Sequence, residues 1–200
     1  AIDVVANGVF IAALKHTPVA FLASEESDAA ALIREGGSLA VAIDPLDGSG
    51  NVSVNLTVGA IFSILPAAQT AADSFLRPCA DQLAAGYFLF GSSTVLVLTI
   101  GEGVDLFVLD PDDQRFKRAA AGLRIPDAAA DIAINMSNRR YWEEPVQRYV
   151  EECTKGKDGG REKNFNMRWV ASMVAEEHRI LTRGGIFMYP FDTKEAGKAG

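Results

Sequence analysis

Four carboxylates stand where strand-like apolar runs end: Glu25 and Glu26 follow "AFLAS", and Asp44 and Asp47 follow "LAVAI" with Pro45 between them. Carboxylates gathered at one point repel each other unless cations sit between them. The donors are hard oxygens with no histidine nearby, which suits magnesium or manganese rather than zinc. Pro45 lacks a backbone donor and has a fixed φ, so the strand is not expected to continue through it. A turn there would let Asp44, the Leu46 carbonyl and Asp47 face one point. Gly48, Ser49 and Gly50 come next. Small residues let a ligand approach the backbone, and successive N–H groups in such a turn form an anion-binding concavity. Metal ligands followed directly by a phosphate cradle suit metal-assisted hydrolysis of a phosphate ester. The bland alternative is a polar turn whose aspartates bond their own backbone. It would account for Asp-Gly alone, but not for "DPLDGSG" with Glu25-Glu26 upstream. "SEES" by itself could equally open a helix, with acids near the dipole.

The elements that must hold these residues are read from periodicity. Residues 2–15 carry Val5, Val9, Ala12 and Ala13 at helical spacing, which predicts a helix that is amphipathic, with that stripe covered, or buried altogether. "VAFLAS", "SLAVAID", "NLTVGAIFSIL", "LAAGYFLFG", "STVLVLTI", "VDLFVLD" and "DIAINMS" read as strands, with turns at "GEG" and "DPDD". "EEPVQRYVEEC" and "MRWVASMVAEEHRILTR" read as helices, joined by the polar loop "KGKDGGREKN". Many strands with fewer helices in mixed order predict a layered α/β or α+β fold rather than a Rossmann unit.

The chain has 200 residues, 48% of them hydrophobic, so a sizeable core is expected. Its net charge of −7 makes nucleic acid and anionic membrane surfaces poor partners. No apolar run approaches a membrane span and no signal peptide is visible. Cys79 and Cys153 are isolated, which fits reduced thiols in a cytoplasmic protein. The first residues are already helical in pattern without a methionine, and "TKEAGKAG" follows an apolar run, so a piece of a longer protein is expected.

"SEES", "DPLDGSGNVSVNLTVGAIFSI", "LAAGYFLFGSSTVLVLT", "INMSN", "RWVASMVAEEHRIL" and "GGIFMYP" together resemble class I fructose-1,6-bisphosphatase. "DPLDG" alone would indicate only the wider superfamily of lithium-sensitive magnesium phosphatases. The resemblance implies a sugar-phosphatase-type α-β-α-β-α sandwich with mixed sheets. Its N-terminal layer would cover about 1–125 and the start of its C-terminal layer about 126–200. It implies that Glu25, Glu26, Asp44, Asp47 and the Leu46 carbonyl bind magnesium, and that Asp47, Gly48, Ser49 and Gly50 face the 1-phosphate. Asp3 matches an aspartate that activates the attacking water, with Glu26 as the second catalytic carboxylate. Asn135 and Tyr189 match the 6-phosphate end, Arg168 an arginine that reaches the neighbouring subunit's site, and Ser172 and Met173 the sugar-lining positions. Three positions depart from the family pattern: Gly50 stands for a usual serine, Ser53 for an aspartate and Trp169 for a tyrosine.

Without the resemblance, Arg168 reads as a solvated charge, Tyr189 as a core aromatic, His178 as a helix-surface or packing residue, and Met167 and Met173 as core fillers. The implied function is magnesium-dependent removal of the 1-phosphate of fructose 1,6-bisphosphate, in gluconeogenesis or the Calvin cycle, by a homotetramer or at least a homodimer. The rivals are another sugar bisphosphatase, acting for instance on sedoheptulose 1,7-bisphosphate, and an inositol-phosphate-type phosphatase. A non-enzymatic rival is a truncated product with only a binding or structural role.

Overall fold

The computed structural model describes residues 2–191, 193 and 194. By its contacts the chain divides into unit 1, residues 1–124 with 171–175, and unit 2, residues 125–170 with 176–200. Both combine helices with a sheet; the sheet of unit 1 is mixed in direction and that of unit 2 is parallel.

Unit 1 opens with helix α1 (Ile2–Leu14), followed by β1 (Val19–Ser24), β2 (Ala31–Leu32), β3 (Leu39–Asp47) and β4 (Val58–Pro66). The short helix α2 (Ala71–Phe75) precedes β5 (Ala84–Phe90), β6 (Thr94–Thr99), β7 (Val104–Leu109) and β8 (Phe116–Leu123). All eight strands form one sheet in the order β2-β1-β3-β4-β5-β6-β7-β8. Strands β1 and β3 pair in parallel, and every other neighbouring pair in this sheet is antiparallel. Val19, Leu22, Val41 and Ile43 form the buried centre, and Phe10, Ile11 and Leu14 of α1 pack on it.

The stripe expected to bury α1 is the wrong one. Val5 and Val9 are 66% and 63% exposed, while Asp3, Ala6, Asn7, Phe10, Ile11 and Leu14 are at least half-covered. The helix is apolar on more than one side, so periodicity alone does not choose a face. Bulky Phe10, Ile11 and Leu14 fill more space against the sheet than alanines would. Strand β8 went unread because its "FKRAAAGL" does not alternate and is largely exposed. It is an edge strand, held by its ladder to β7 and by the Arg118–Asp105 and Lys117–Asp113 pairs.

Strand β3 does continue through Pro45, against expectation. Asp44 faces Ile61 and Asp47 faces Gly59, so β3 carries one residue more than β4 over this stretch. That is a β-bulge, where a missing N–H costs no ladder bond. The bulge also corrects the alternation. Residues three apart in a regular strand point to opposite faces, and one extra residue brings Asp44 and Asp47 back to the same side.

Gly59, opposite the end of the bulge, has no room for a side chain. A Cβ there would lie 2.2 Å from the Phe88 carbonyl oxygen and 2.4 Å from Val174 Cγ2. The first of these is sheet backbone and cannot swing away. Gly59→Ala is expected to destabilise the protein by about 1–3 kcal/mol through overpacking, read as a lower urea midpoint; an unchanged midpoint would contradict this packing.

Unit 2 contains β9 (Asp131–Ala133), α3 (Glu144–Lys155), β10 (Asn166–Met167), most of α4 (Met173–Arg183) and β11 (Ile186–Phe187). The three strands are parallel, in the order β10-β9-β11. Ile134, Trp142 and Val150 are its buried centre, and Met167 packs there as expected. The helix expected from Met167 begins only at Met173. Asn166 and Met167 pair with β9 instead, and Ala171 takes a left-handed conformation (φ 58°) that no α-helix can pass through. Cys79 is an exposed free thiol and Cys153 a buried one. Among the described residues no helix is long and apolar enough to cross a membrane.

Candidate functional site

The parallel ladder sets Ser24 opposite Ile43, and the Glu25 N–H donates to the Ile43 carbonyl at 3.1 Å. This brings Glu25 beside Asp44, close enough for the two carboxyl groups to act on each other. Burial pushes the Asp44 carboxyl up to about 6. The Leu46 N–H, donating to Asp44 Oδ1 at 2.9 Å, opposes that rise, while the Glu25 and Asp47 charges add to it. Such crowding of like charge is what a hard divalent cation relieves, and the oxygens of Glu25 and Asp44 fit one.

The expected convergence of all four carboxylates is not seen. Among the described residues no group of three or more His, Cys, Asp or Glu side chains lies close enough to hold a metal ion. Two local bonds explain the spread. Glu26 stays exposed in the turn, its N–H donating to Ser24 Oγ at 3.3 Å. Asp47 is engaged elsewhere: its Oδ2 accepts from Ser172 Oγ at 2.6 Å and from the Val174 N–H at 3.0 Å, and its Oδ1 from the Met173 N–H at 3.1 Å. It therefore caps α4.

Ser172 is buried, and its Oγ also accepts the Ala175 N–H at 3.3 Å. Gly48 packs directly on it. At φ 76°, a Cβ on Gly48 would come within 2.8 Å of the Ser172 Cβ, so only glycine fits. Ser49 then opens a 3-10 turn to Val54 whose cap, Gly48, offers no side-chain bond, and Gly50 is exposed at its start. Met173 is 38% exposed, so it is not a core filler; its N–H rather than its thioether is held, by Asp47.

Asp3 sits in the first turn of α1, its Oδ1 accepting the Val4 N–H at 2.9 Å. One turn on, Asn7 is buried and its Oδ1 accepts from Ser24 Oγ at 2.9 Å. Sequence reasoning passed over both Asn7 and Ser24. The available signal was a polar residue four positions after Asp3 in an otherwise apolar helix.

Asn135, Arg168 and Tyr189 belong to unit 2. Asn135 and Tyr189 line one small pocket together with Asn138 and Trp142. Asn135 Oδ1 accepts the Ser137 N–H at 3.1 Å. Tyr189 is 60% exposed rather than a core aromatic, and its ring stacks on Phe187, which stacks in turn on Trp169. Arg168 is half-exposed, with Nε 3.8 Å from Asp131 Oδ2. Behind it lies a buried charge network that the sequence did not reveal. Glu176 is fully buried: its Oε1 accepts the Val170 N–H at 2.8 Å and its Oε2 accepts Arg179 Nη2 at 2.6 Å. Arg179 Nη1 donates to Asp131 Oδ2 at 3.0 Å. Burial pushes the His178 imidazole below its ordinary range, consistent with a packing role.

Known proteins resemble this chain in sequence and in fold. The family model described as fructose-1-6-bisphosphatase, N-terminal domain, matches residues 1–120, and that of the C-terminal domain matches residues 125–199. The chain is 48% identical over its whole length to "Fructose-1,6-bisphosphatase class 1" of Paracoccus denitrificans, of which it covers 61%. It is 52% identical to the protein of that name from Methylobacillus flagellatus, covering 62% of it. It thus spans about three fifths of the length of these curated relatives. The crystal structure of Leishmania major fructose-1,6-bisphosphatase in its holo form superposes with a TM-score of 0.86 at 34% identity, over 95% of this chain and 62% of that one. The T-state structure of the same enzyme gives a TM-score of 0.90 at 32% identity, over 96% of this chain and 62% of that one. Since the two domain models together account for residues 1–120 and 125–199, the chain belongs to the fructose-1,6-bisphosphatase family.

Proposed function

We propose that this protein is a magnesium-dependent phosphomonoesterase that converts fructose 1,6-bisphosphate to fructose 6-phosphate and phosphate. The observation that carries this reading is the Glu25–Asp44 carboxyl pair at the ends of β1 and β3, directly before the Gly48–Gly50 turn, in a chain of this family. Glu25, Glu26, Asp44, Asp47 and the Leu46 carbonyl would hold magnesium, with manganese as the alternative. When bound, the cation polarises the phosphoryl oxygens and offsets charge on the leaving oxygen.

The chain's own groups do the rest. Asp47, Gly48, Ser49 and Gly50 orient the 1-phosphate. Asp3, with Glu26 as the second catalytic carboxylate, takes the proton that the attacking water gives up, and the sugar oxygen released as its bond to phosphorus breaks is protonated in turn. Ser172 and Met173 line the sugar, held in place through Asp47. Asn135 and Tyr189 bind the 6-phosphate in the unit 2 pocket, and Arg168 supplies a fork-shaped cation to a phosphate in a neighbouring subunit. The reading carries with it an oligomer, a cytoplasmic setting, and an N-terminal layer over about 1–125 with the C-terminal layer beginning at about 126.

The test is phosphate release by the intact protein from fructose 1,6-bisphosphate, sedoheptulose 1,7-bisphosphate and inositol 1-phosphate, with magnesium and after chelation. Fructose 1,6-bisphosphate is expected to turn over fastest, to yield fructose 6-phosphate by phosphorus NMR, and to stop reacting on chelation. Faster turnover of the inositol phosphate would overturn the assignment.

A further inference from the structure

We propose that Asn7 and Ser24 are positioning residues that hold helix α1 in register with the acidic turn, so that Asp3 lies level with Glu25 and Glu26. The proposal rests on the reading of Asp3 given above and adds what places it.

Three observations carry it. The Ser24 Oγ–H donates to Asn7 Oδ1 at 2.9 Å, and both residues are buried, 9% and 8% exposed. The same Ser24 Oγ accepts the Glu26 N–H at 3.3 Å, so one hydroxyl ties the helix and the turn together. Asp3 and Asn7 are four apart on the inward stripe of α1 and so lie one above the other.

The directions of the elements complete the geometry. Helix α1 runs into β1 through a short reversal, its far end packing near the start of β1 and Asn7 reaching Ser24 at the end of β1. Going back one turn from Asn7 to Asp3 covers about 6 Å. Past Ser24 the chain turns rather than staying extended: the Ser27 N–H donates to the Ser24 carbonyl at 3.1 Å, so Glu25 and Glu26 form the tip of a turn that projects beyond the end of β1 in the same direction. A clasp between Asn7 and Ser24 therefore sets the level of Asp3 against the turn.

The apolar contacts of α1 cannot do this alone. Phe10, Ile11 and Leu14 hold the helix to the sheet, but hydrophobic burial is non-directional and tolerates sliding along the axis. A buried hydrogen bond does not, because an unmet partner is costly. Asparagine also supplies its acceptor without adding another negative charge beside Glu25 and Glu26.

The experiment compares Asn7→Leu, Ser24→Ala, Ser24→Thr and the Asn7→Leu/Ser24→Ala double variant of the intact protein, each also in an Asp3→Asn background. Loss of the clasp is expected to lower kcat about 10–100-fold, the scale of a misplacement near 1 Å. KM should stay within about twofold, since ground-state binding is untouched. The double variant should be no worse than the poorer single one, Ser24→Thr should restore most of the rate, and the Asn7→Leu effect should vanish once Asp3 is Asn. A loss that persists in full without Asp3, or a folded Asn7→Leu variant with normal kcat, overturns the proposal. Should Asn7→Leu fail to fold, Ser24→Ala, which removes one oxygen, carries the same test. Amide hydrogen exchange separates this inference from the functional reading. Ser24→Ala is expected to speed exchange of the Glu26 N–H and the first turn of α1 about tenfold whatever the substrate. Unchanged exchange overturns the clasp, whereas wild-type protein that releases no phosphate overturns only the assigned reaction.

Discussion

Asp44→Asn is expected to cut phosphate release from fructose 1,6-bisphosphate at saturating magnesium by about a thousandfold or more, on the scale of the several kcal/mol a catalytic cation supplies. The amide keeps the volume of the carboxylate but loses the charge that holds the cation, so kcat should fall rather than KM alone rise. Stability should hardly change. The amide oxygen can still accept the Leu46 N–H, and the variant removes a carboxylate that burial, with the Glu25 and Asp47 charges added, already disfavours. Asp47→Asn should inactivate as severely and also destabilise. Asp47 accepts three donors on its two oxygens, from Ser172, Met173 and Val174. An amide would present its own NH2 to one side of that set, at a cost of about 1–3 kcal/mol. Paired activity and urea measurements check both halves. Near-normal turnover by Asp44→Asn would remove the metal assignment, and an unchanged midpoint for Asp47→Asn would remove the capping role.

Glu176→Ala should be the most destabilising substitution in unit 2, by about 3–5 kcal/mol, because it breaks a buried ion pair on one side only. Arg179 would lose the carboxylate that takes its Nε and Nη2, and the Val170 N–H would lose this acceptor. Asp131 remains as the other partner of Arg179. Burial pushes the Asp131 carboxyl up, but its bonds from Asn166 and Arg179 and the Arg179 charge outweigh that and hold it below its ordinary value. A depressed folded value means its stabilisation is complete above about pH 4 and is lost as pH falls through the lower folded value. The share of the urea midpoint owed to Asp131, read as the difference from Asp131→Asn, should therefore be flat near neutrality and shrink on the acid side, whereas Asp44, with its raised value, adds stability as pH falls through about 6. A Glu176→Ala variant as stable as the parent would mean that the network contributes little.

The strands of unit 1 were readable because β1 and β3–β7 are continuous apolar runs between turn residues, long enough for burial to override local preference. What escaped were places where one residue's conformation or one bond decides. The pattern that suggests a helix from Met167 is unbroken in residue type, and only the left-handed Ala171 shows that it stops. An aliphatic helix such as α1 carries no preferred face until Asn7 finds Ser24. The bulge at Pro45 depends on the partner strand, which "DPLDG" does not encode. For the same reason the acidic residues were legible as neighbours at strand ends, whereas the turning of Asp47 toward Ser172 was not: the two are far apart in sequence and meet only in the folded chain. Nothing in the sequence singles out Glu176, because residue type alone cannot tell which side of α4 is covered.

Strand direction has a further consequence for what this sheet can host. In an antiparallel pair one strand arrives where its neighbour departs. Segments that follow two such strands are separated by a strand length, about 20 Å for six residues. Only strands running the same way deliver two post-strand segments to a common edge, and in the eight-stranded sheet β1 and β3 are the neighbouring couple that does so side by side. Same-way strands cannot be joined by a hairpin; the chain must travel back before starting again. Residues 25–38, with β2 folded along the outside of β1, make that return journey. The length of this stretch is thus bound to the chemistry at its two ends. Shortened to a tight turn, it would reverse β3 and carry Asp44 to the opposite edge of the sheet, away from Glu25, with every residue of both strands still present.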